Sequence, residues 1–529
     1  MNVFERIKQR AARWPGRPAI HCARGTLTFQ QVIDAAEQVA DDLVSSGVKA
    51  GTGLGISDHN SAEFIIAMLA GLRCGAVVVP IASNLTTTER DALIEGVGLH
   101  ALLCEGEGER SIFIGTRHFH LRRMHRAEER IAPHIAEAAF IRFTSGTTGT
   151  SKGVVLSHRT VIERVEAANK GLGLSEHDAV VWVLPMAYHF VVSIMLYLYF
   201  GTAVILCADF TAQAIAHCAA RFKGTLLYAA PTHIRLLVAD RAVTSLGTLR
   251  SVISTSAGLP LGLCAQFKER FGLAVSQAFG IIEVGLPIIN TERSDEAPEA
   301  VGHALPDHEV AILDDALHPL PDGSTGLLAV RGPGLFDGYL SPPVSRDQVL
   351  RQGWFLTGDL AVRTADGLVS IKGRRKSMIN IAGNKVFPED VEAVVNAHPQ
   401  VQASRVFGGA HPLFGEIVEA EVVLAPGAQL DPEDIVSFCR ERLSAYKLPQ
   451  RIHFVEALAM TATGKVKRVS ARTRVSAIDR SITSPHSRWI RARVAGSKLY
   501  SFVTYSSCAA TSISNSGRAN SKSPRPSCL

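Results

Sequence analysis

Residues 143–153 read FTSGTTGTSKG, a run with three glycines, six hydroxyl side chains and one cation, Lys152. Such a segment has little to pack a core with. Small residues let backbone N–H groups wrap around an anion and the lysine adds a point charge, so the chemistry it suits is phosphate binding. It is not a Walker A loop, which needs Gly-Lys-Ser/Thr running straight into a helix; here Ser151 precedes Lys152 and Gly153 follows it. Val154, Val155 and Leu156 read as a short strand, and a helix starts near Ser157 or His158, so the loop joins two strands. Four more stretches carry candidate chemistry: FGIIEVG at 279–285, with the lone acid Glu283; GWFLTGDL at 353–360, with Asp359; GRRKSMINIAGNKVFPEDVE at 373–392; and TATGKVKR at 461–468, with Lys465.

These residues need a scaffold. Through the first 370 residues, helix-period and strand-like segments alternate, which predicts an α/β domain with helices covering a mostly parallel sheet. LTFQQVIDAAEQVADDLVSSGV places Val32, Ala35, Val39 and Leu43 on one helical face, and AVVVPI is a continuous apolar strand of the buried parallel kind. From about Gly302 short strands with Pro and Gly turns suggest a β-rich part. After GRRKS come a helix with Pro388 in its first turn, the strands ASRVFGG and EAEVVLA, and the helical stretch DPEDIVSFCRERLSAY, a compact α+β unit. The expected division is 1–375, 376–472 and a Ser/Arg-rich tail at 473–529, which reads as disordered or as an altered or foreign extension.

The net charge of +6 is concentrated at the end: residues 474–529 hold nine Lys or Arg against Asp479 alone, so the remainder is slightly acidic and a nucleic-acid partner is not expected. Nine cysteines without a Cys-x-x-Cys or Cys/His cluster argue against a disulfide framework or zinc site and fit reduced thiols in a cytoplasm. Residues 180–208 contain no Asp, Glu, Lys or Arg, but Pro185 and Gly201 cut the run below the ~20 residues of a membrane span. The run reads as strand, loop, helix and strand; peripheral membrane contact stays open.

The five motifs, in this order and at these separations, resemble the adenylate-forming superfamily of acyl-CoA synthetases, adenylation domains and luciferases, over roughly residues 5–472. The resemblance implies a ligase that joins a fatty or aryl carboxylic acid to the α-phosphate of ATP with magnesium, expels pyrophosphate, and passes the acyl group to the thiol of coenzyme A. A separate acyl-carrier protein as acceptor and a non-catalytic nucleotide-binding relative are the alternatives. By position, it implies that Thr144, Ser145, Gly146, Thr147, Thr148, Gly149 and Lys152 hold the β- and γ-phosphates, Glu283 the magnesium and Phe279 the adenine. Asp359 and Arg374 would bind the ribose, and Lys465 would bridge the carboxylate and α-phosphate. Lys376 would sit at the hinge on which the small domain rotates between half-reactions, and Gly383 beside the thiol tunnel. His189, Ala229, Ala230 and His233 are implied walls of the acyl pocket; Lys385 and Lys447 read as solvated surface lysines.

Two departures from the superfamily pattern stand out. Ile282 occupies the place of a Thr whose hydroxyl approaches the α-phosphate. Losing one hydrogen bond to a charged oxygen is worth ~1.5–3 kcal/mol, an expected slowing of roughly ten- to a hundredfold. His189 is displaced by one residue from the usual place of its counterpart.

Overall fold

The structure is a computed structural model. It describes residues 2–124, 131–143, 153–381, 384–411, 415–460 and Val466, all within one compact unit, Met1–Ile490. The tail at 473–529 lies outside the described residues.

Among the described residues the strands form two nine-stranded sheets, a four-stranded sheet and a five-stranded sheet. In one large sheet Ala203–Leu206, Ala179–Trp182, Leu226–Ala229, Ser251–Ser254 and Val275–Ile281 run parallel side by side. In the other, Ala101–Cys104, Gly53–Asp58, Val77–Ala82 and Ala138–Phe143 do. Parallel neighbours need crossover connections, which helices such as Ala62–Arg73, Ala212–Arg221 and Pro231–Ala239 supply. Such strands are apolar throughout because both faces are covered. In Val77–Ala82, Val78 and Ala82 enter the main core while Val77, Val79 and Ile81 enter a second one. The α/β architecture is therefore the expected one.

The helix over the first of these patterns spans Phe29–Ser45, started by a capping box between Thr28 and Gln31. Its buried stripe is Phe29, Val32, Ile33, Ala36, Val39, Ala40 and Leu43. Ala35, expected on that face, is only half-buried; four residues on from Val32 points more squarely at the core, and that place belongs to Ala36. The charge-free run resolves into Ala179–Trp182, Met186–His189, a π-helical turn Phe190–Ile194, Met195–Tyr199 and Ala203–Leu206. Trp182, Phe190, Tyr197 and Tyr199 lie in the main core. No described helix is long and apolar enough to cross a membrane.

The β-rich part is an antiparallel sheet of Glu309–Leu313, Thr325–Arg331, Phe355–Arg363 and Val369–Arg374. Beyond it, Val401–His411 and Gly415–Leu424 form a long hairpin covered by the helices Pro388–Asn396 and Pro432–Arg440. This smaller domain has its own core, including Ile379, Val391, Val406, Val418, Ile435 and Cys439. The second helix is shorter than its sequence suggests. It stops at Arg440, after which Arg442 N–H and Leu443 N–H both donate to the Cys439 carbonyl and the chain turns through a short 3-10 segment, Ala445–Lys447.

Candidate active site

The glycine-rich segment is the connection of a hairpin. Ala138–Phe143 and Gly153–Ser157 pair antiparallel, with Phe143 opposite Gly153, and Ser157 then caps the helix His158–Leu172 by accepting from Thr160 N–H. Thr144, Ser145, Gly146, Thr147, Thr148, Gly149 and Lys152 lie outside the described residues, as do Gly383 and Lys465. The mouth of the hairpin is tightly built: a Cβ on Gly153 would meet Leu340 Cβ and Phe143 Cζ, each at 3.0 Å.

The segment Gly338–Tyr339 adds to this hairpin as a further antiparallel strand, pairing with Val155 and Val154, and Leu340 N–H donates to the Gly153 carbonyl at 2.7 Å. The Tyr339 hydroxyl then donates to Glu283 Oε1 at 3.3 Å. Glu283 itself occupies the turn between the strands Val275–Ile281 and Gly285–Ile289, where Gly285, at φ +80°, takes a left-handed conformation. Its backbone carbonyl accepts from Phe336 N–H at 2.8 Å and from Arg164 Nη2 at 3.0 Å, while Arg164 Nε donates to the Gly334 carbonyl at 2.6 Å. Arg164, on the helix that leaves the hairpin, thus ties together the hairpin, the Glu283 turn and the Gly334 loop. Burial pulls its pKa down to about 9 and pushes the Tyr339 phenol up, with Glu283 the next influence on each. Ile282 is buried in the main core beside Glu283 and offers no polar group.

Asp359 and Arg374 are brought together. They are direct partners on adjacent antiparallel strands, with Arg374 Nε 2.6 Å from Asp359 Oδ1; the carboxylate is buried and the guanidinium half-exposed. Phe279 is half-buried, packs against the main core and pairs with Ile288. Lys376 is exposed in the 3-10 turn Arg375–Ser377. Lys385 is exposed, and Lys447 donates to Asp390 Oδ2 at 2.9 Å.

On the acyl side, His189 closes the short helix Met186–His189 and sets its ring edge-on to Trp182, centroids 5.9 Å apart. Trp182 stacks on Tyr228 at 6.0 Å and 7°. Ala230 packs on the same core, whereas Ala229 is buried in a separate cluster with Val181, Leu227 and Ile234, away from this face. His233 Nδ1 accepts from Ala230 N–H at 3.2 Å, and its ring meets Phe210. Asn60 clamps this side: its Nδ2 donates to the Leu184 carbonyl and its Oδ1 accepts from Met186 N–H, both at 2.8 Å across Pro185.

Four site residues escaped the sequence reading: Asn60, Arg142, Arg164 and Tyr339. The one local signal was at Arg142, a charge in the otherwise apolar strand AAFIRF immediately before the glycine-rich segment. Among the described residues no group of three or more His, Cys, Asp and Glu gathers as a metal site; two acids stand beside the hairpin, Glu283 through Tyr339 and Asp337, whose Oδ2 accepts from Ser157 N–H at 2.6 Å.

The family model described as AMP-binding enzyme matches residues 7–340, and that of the AMP-binding enzyme C-terminal domain matches residues 390–465. The 2-succinylbenzoate–CoA ligase of Geobacillus kaustophilus is 30% identical over 471 residues, covering 87% of this chain and 96% of the relative. The feruloyl-CoA synthase of an Amycolatopsis species is 26% identical, covering 88% and 97%. Among solved structures, ATP-bound MatB from Rhodopseudomonas palustris superposes with a TM-score of 0.77 at 26% identity, again over 88% of this chain and 97% of the other.

Proposed function

The chain belongs to the AMP-binding enzyme family, and from that membership we infer an AMP-forming acid–thiol ligase that activates a carboxylic acid with ATP and transfers it to coenzyme A. The observation that carries the reading is the convergence on Tyr339. One short segment, Gly338–Tyr339, both edges the hairpin whose loop suits phosphate and touches Glu283.

A carboxylate is a poor acyl donor because its leaving group would be oxide. In the first half-reaction its oxygen attacks the α-phosphorus of ATP and pyrophosphate leaves; in the second, the thiolate of coenzyme A attacks the acyl carbonyl and AMP leaves. Negative charge grows on phosphoryl oxygens in transit, so dense donors and cations are what the site must supply. We assign Thr144, Ser145, Gly146, Thr147, Thr148, Gly149 and Lys152 to the β- and γ-phosphates. Asp359 accepts from the ribose hydroxyls with Arg374 alongside, Phe279 faces the adenine, and Lys465 bridges carboxylate and α-phosphate.

Glu283 fits magnesium: a half-buried carboxylate, in a structure whose described residues gather no cluster of three His, Cys, Asp or Glu, matches an ion held by one or two carboxylates plus substrate phosphates. When bound, the ion neutralises phosphate charge. The acyl group we place against His189 and Ala230, with the buried Trp182–Tyr228 stack behind them and His233 at the margin, an apolar setting suited to a fatty or aryl acid. Gly383 we keep beside the thiol path and Lys376 at the hinge, with domains at 1–375 and 376–472. The cysteines among the described residues are free, which supports a cytoplasmic setting.

Carboxylate-dependent ATP-pyrophosphate exchange over a panel of fatty, aryl and amino acids tests the reading. Exchange is expected with fatty or aryl acids, followed by acyl-CoA formation when coenzyme A is added. No exchange with any acid, in this protein or in Ile282→Thr, overturns it; exchange without acyl-CoA but with transfer to a carrier-protein thiol moves the acceptor.

A further inference from the structure

Arg142 is a part-buried cation whose Nε has no acceptor among the described residues. It lies on the strand Ala138–Phe143, where side chains alternate between faces. Ile141 enters the core with Val77, Val79 and Ile81, whereas Phe140 enters the main core and its ring lies 6.2 Å from Phe190. Arg142 shares the face of Phe140 and continues the row: its guanidinium lies over the ring of Tyr188, 5.8 Å from the centroid. The strand runs parallel to Val77–Ala82, so Arg142 stands at the carboxyl end, outside which ligand crevices of open α/β sheets form.

The residue is part-buried and its Nε is sealed from solvent without an acceptor. Its guanidinium packs on the ring of Tyr188. Burial lowers its pKa to about 10, Glu283 being the strongest opposing influence, so the group is charged at neutral pH. Holding a charge in such a place without an acceptor is costly, so an anionic group of a substrate that reached it would gain more than it would from a solvated cation. The groups that act on it point to the location: Tyr188, which precedes His189, lies under its guanidinium, and Glu283 is its strongest electrostatic partner. Ile282, next to Glu283, donates nothing from its own position.

We propose that Arg142 is a substrate-binding residue that donates to the α-phosphate oxygens of the bound nucleotide, filling the donor role that Ile282 leaves empty. The proposal rests on the ATP-binding reading above. The guanidinium moves no proton and forms no bond; it offsets charge on the oxygens as the carboxylate attacks.

The test is direct titration of ATP, AMP and adenosine into the protein and its Arg142→Gln, Arg142→Met and Arg142→Lys variants, with thermal melts of each free protein. Gln and Met are expected to weaken AMP and ATP by about ten- to a hundredfold while leaving adenosine within about twofold, and Lys to recover part of the loss. Met is expected to raise the melting temperature of the free protein, since an apolar side chain there removes an unpaired charge. In exchange assays, Ile282→Thr is expected to gain less than about threefold alone but tenfold or more in the Arg142→Gln background.

Equal weakening of adenosine and AMP, unchanged nucleotide binding, a fall in melting temperature for all three variants, or a raised KM for the acid alone would each overturn the assignment. The last of these would place Arg142 on the acid's carboxylate instead. A protein that binds AMP through Arg142 yet exchanges no pyrophosphate would sink the ligase reading and leave this one standing.

Discussion

Asp359 is held on the floor of a sheet, buried in the strand Phe355–Arg363, while Arg374 reaches it from the next strand with half its surface in solvent. An Asp359→Asn variant keeps the shape but replaces a carboxylate that can accept from two hydroxyls with an amide that turns one donor toward Arg374. ATP binding is expected to weaken by about ten- to a hundredfold, with Arg374→Ala weaker in effect because an exposed ion pair contributes less. Titration of ATP into each variant checks both, and an Asp359→Asn protein that binds ATP normally would remove it from the site. Asp359 and Arg374 were legible in sequence because each sits in a short local motif. Arg164 was not, because its acceptors, the carbonyls of Glu283 and Gly334, are 119 and 170 residues away along the chain. Tyr339 was missed for the same reason. A long-range hydrogen bond leaves no periodicity or spacing to read.

At the level of elements, patterns that depend on neighbours three or four residues away survived translation into structure. The strands flanking the glycine-rich segment, the interrupted apolar run and the helix after Thr28 all formed where turn residues, caps and apolar stripes placed them. The helix from Pro432 ended early because its length depended on where the backbone could turn back onto Cys439, which composition does not reveal. How elements dock was equally hidden, and His158 is the clearest case. It begins the helix that follows the hairpin, is buried, and its Nδ1 accepts from Val3 N–H at 3.3 Å, tying the N-terminal helix Val3–Ala11 to the hairpin unit. Burial lowers its pKa to about 4, below the ~6.5 of an unfolded histidine. Between those values the unfolded chain binds more protons than the native one, so the contribution is fully present above pH ~6.5 and is lost as pH falls toward 4. The expected loss is about 2 kcal/mol by pH 5, read from urea unfolding across that range. His158→Asn, which keeps an acceptor without a titrating ring, is expected to flatten the dependence; an identical pH profile in that variant would refute the account.

For the molecule as a whole, the proposed two half-reactions would ask different groups to approach the same acyl phosphate, and we place their exchange at the junction of residues 374–387. The smaller domain carries its own core, and it meets the larger one through modest contacts. Met378 and Phe387 pack against the sheet core around Leu313, Leu327 and Leu360, Arg375 pairs with Asp315 at 3.0 Å, and Arg235 Nη1 reaches the Gln402 carbonyl at 3.5 Å. A domain stabilised from within can swing as a body when the connecting backbone permits, and we propose that this one does. Lys376, exposed in the 3-10 turn between Arg374 and Met378, is where we place that freedom. Proline there fixes φ near −65° without removing a buried side chain, so it acts on the rotation and not on the packing. Lys376→Pro is therefore expected to leave ATP-pyrophosphate exchange within about threefold while acyl-CoA formation falls tenfold or more, because only the second half-reaction requires the domain to move. Exchange and acyl-CoA formation measured on one preparation make the comparison internal. A proportional loss of both would place Lys376 in the adenylation step, and a loss of neither would move the hinge elsewhere in 374–387.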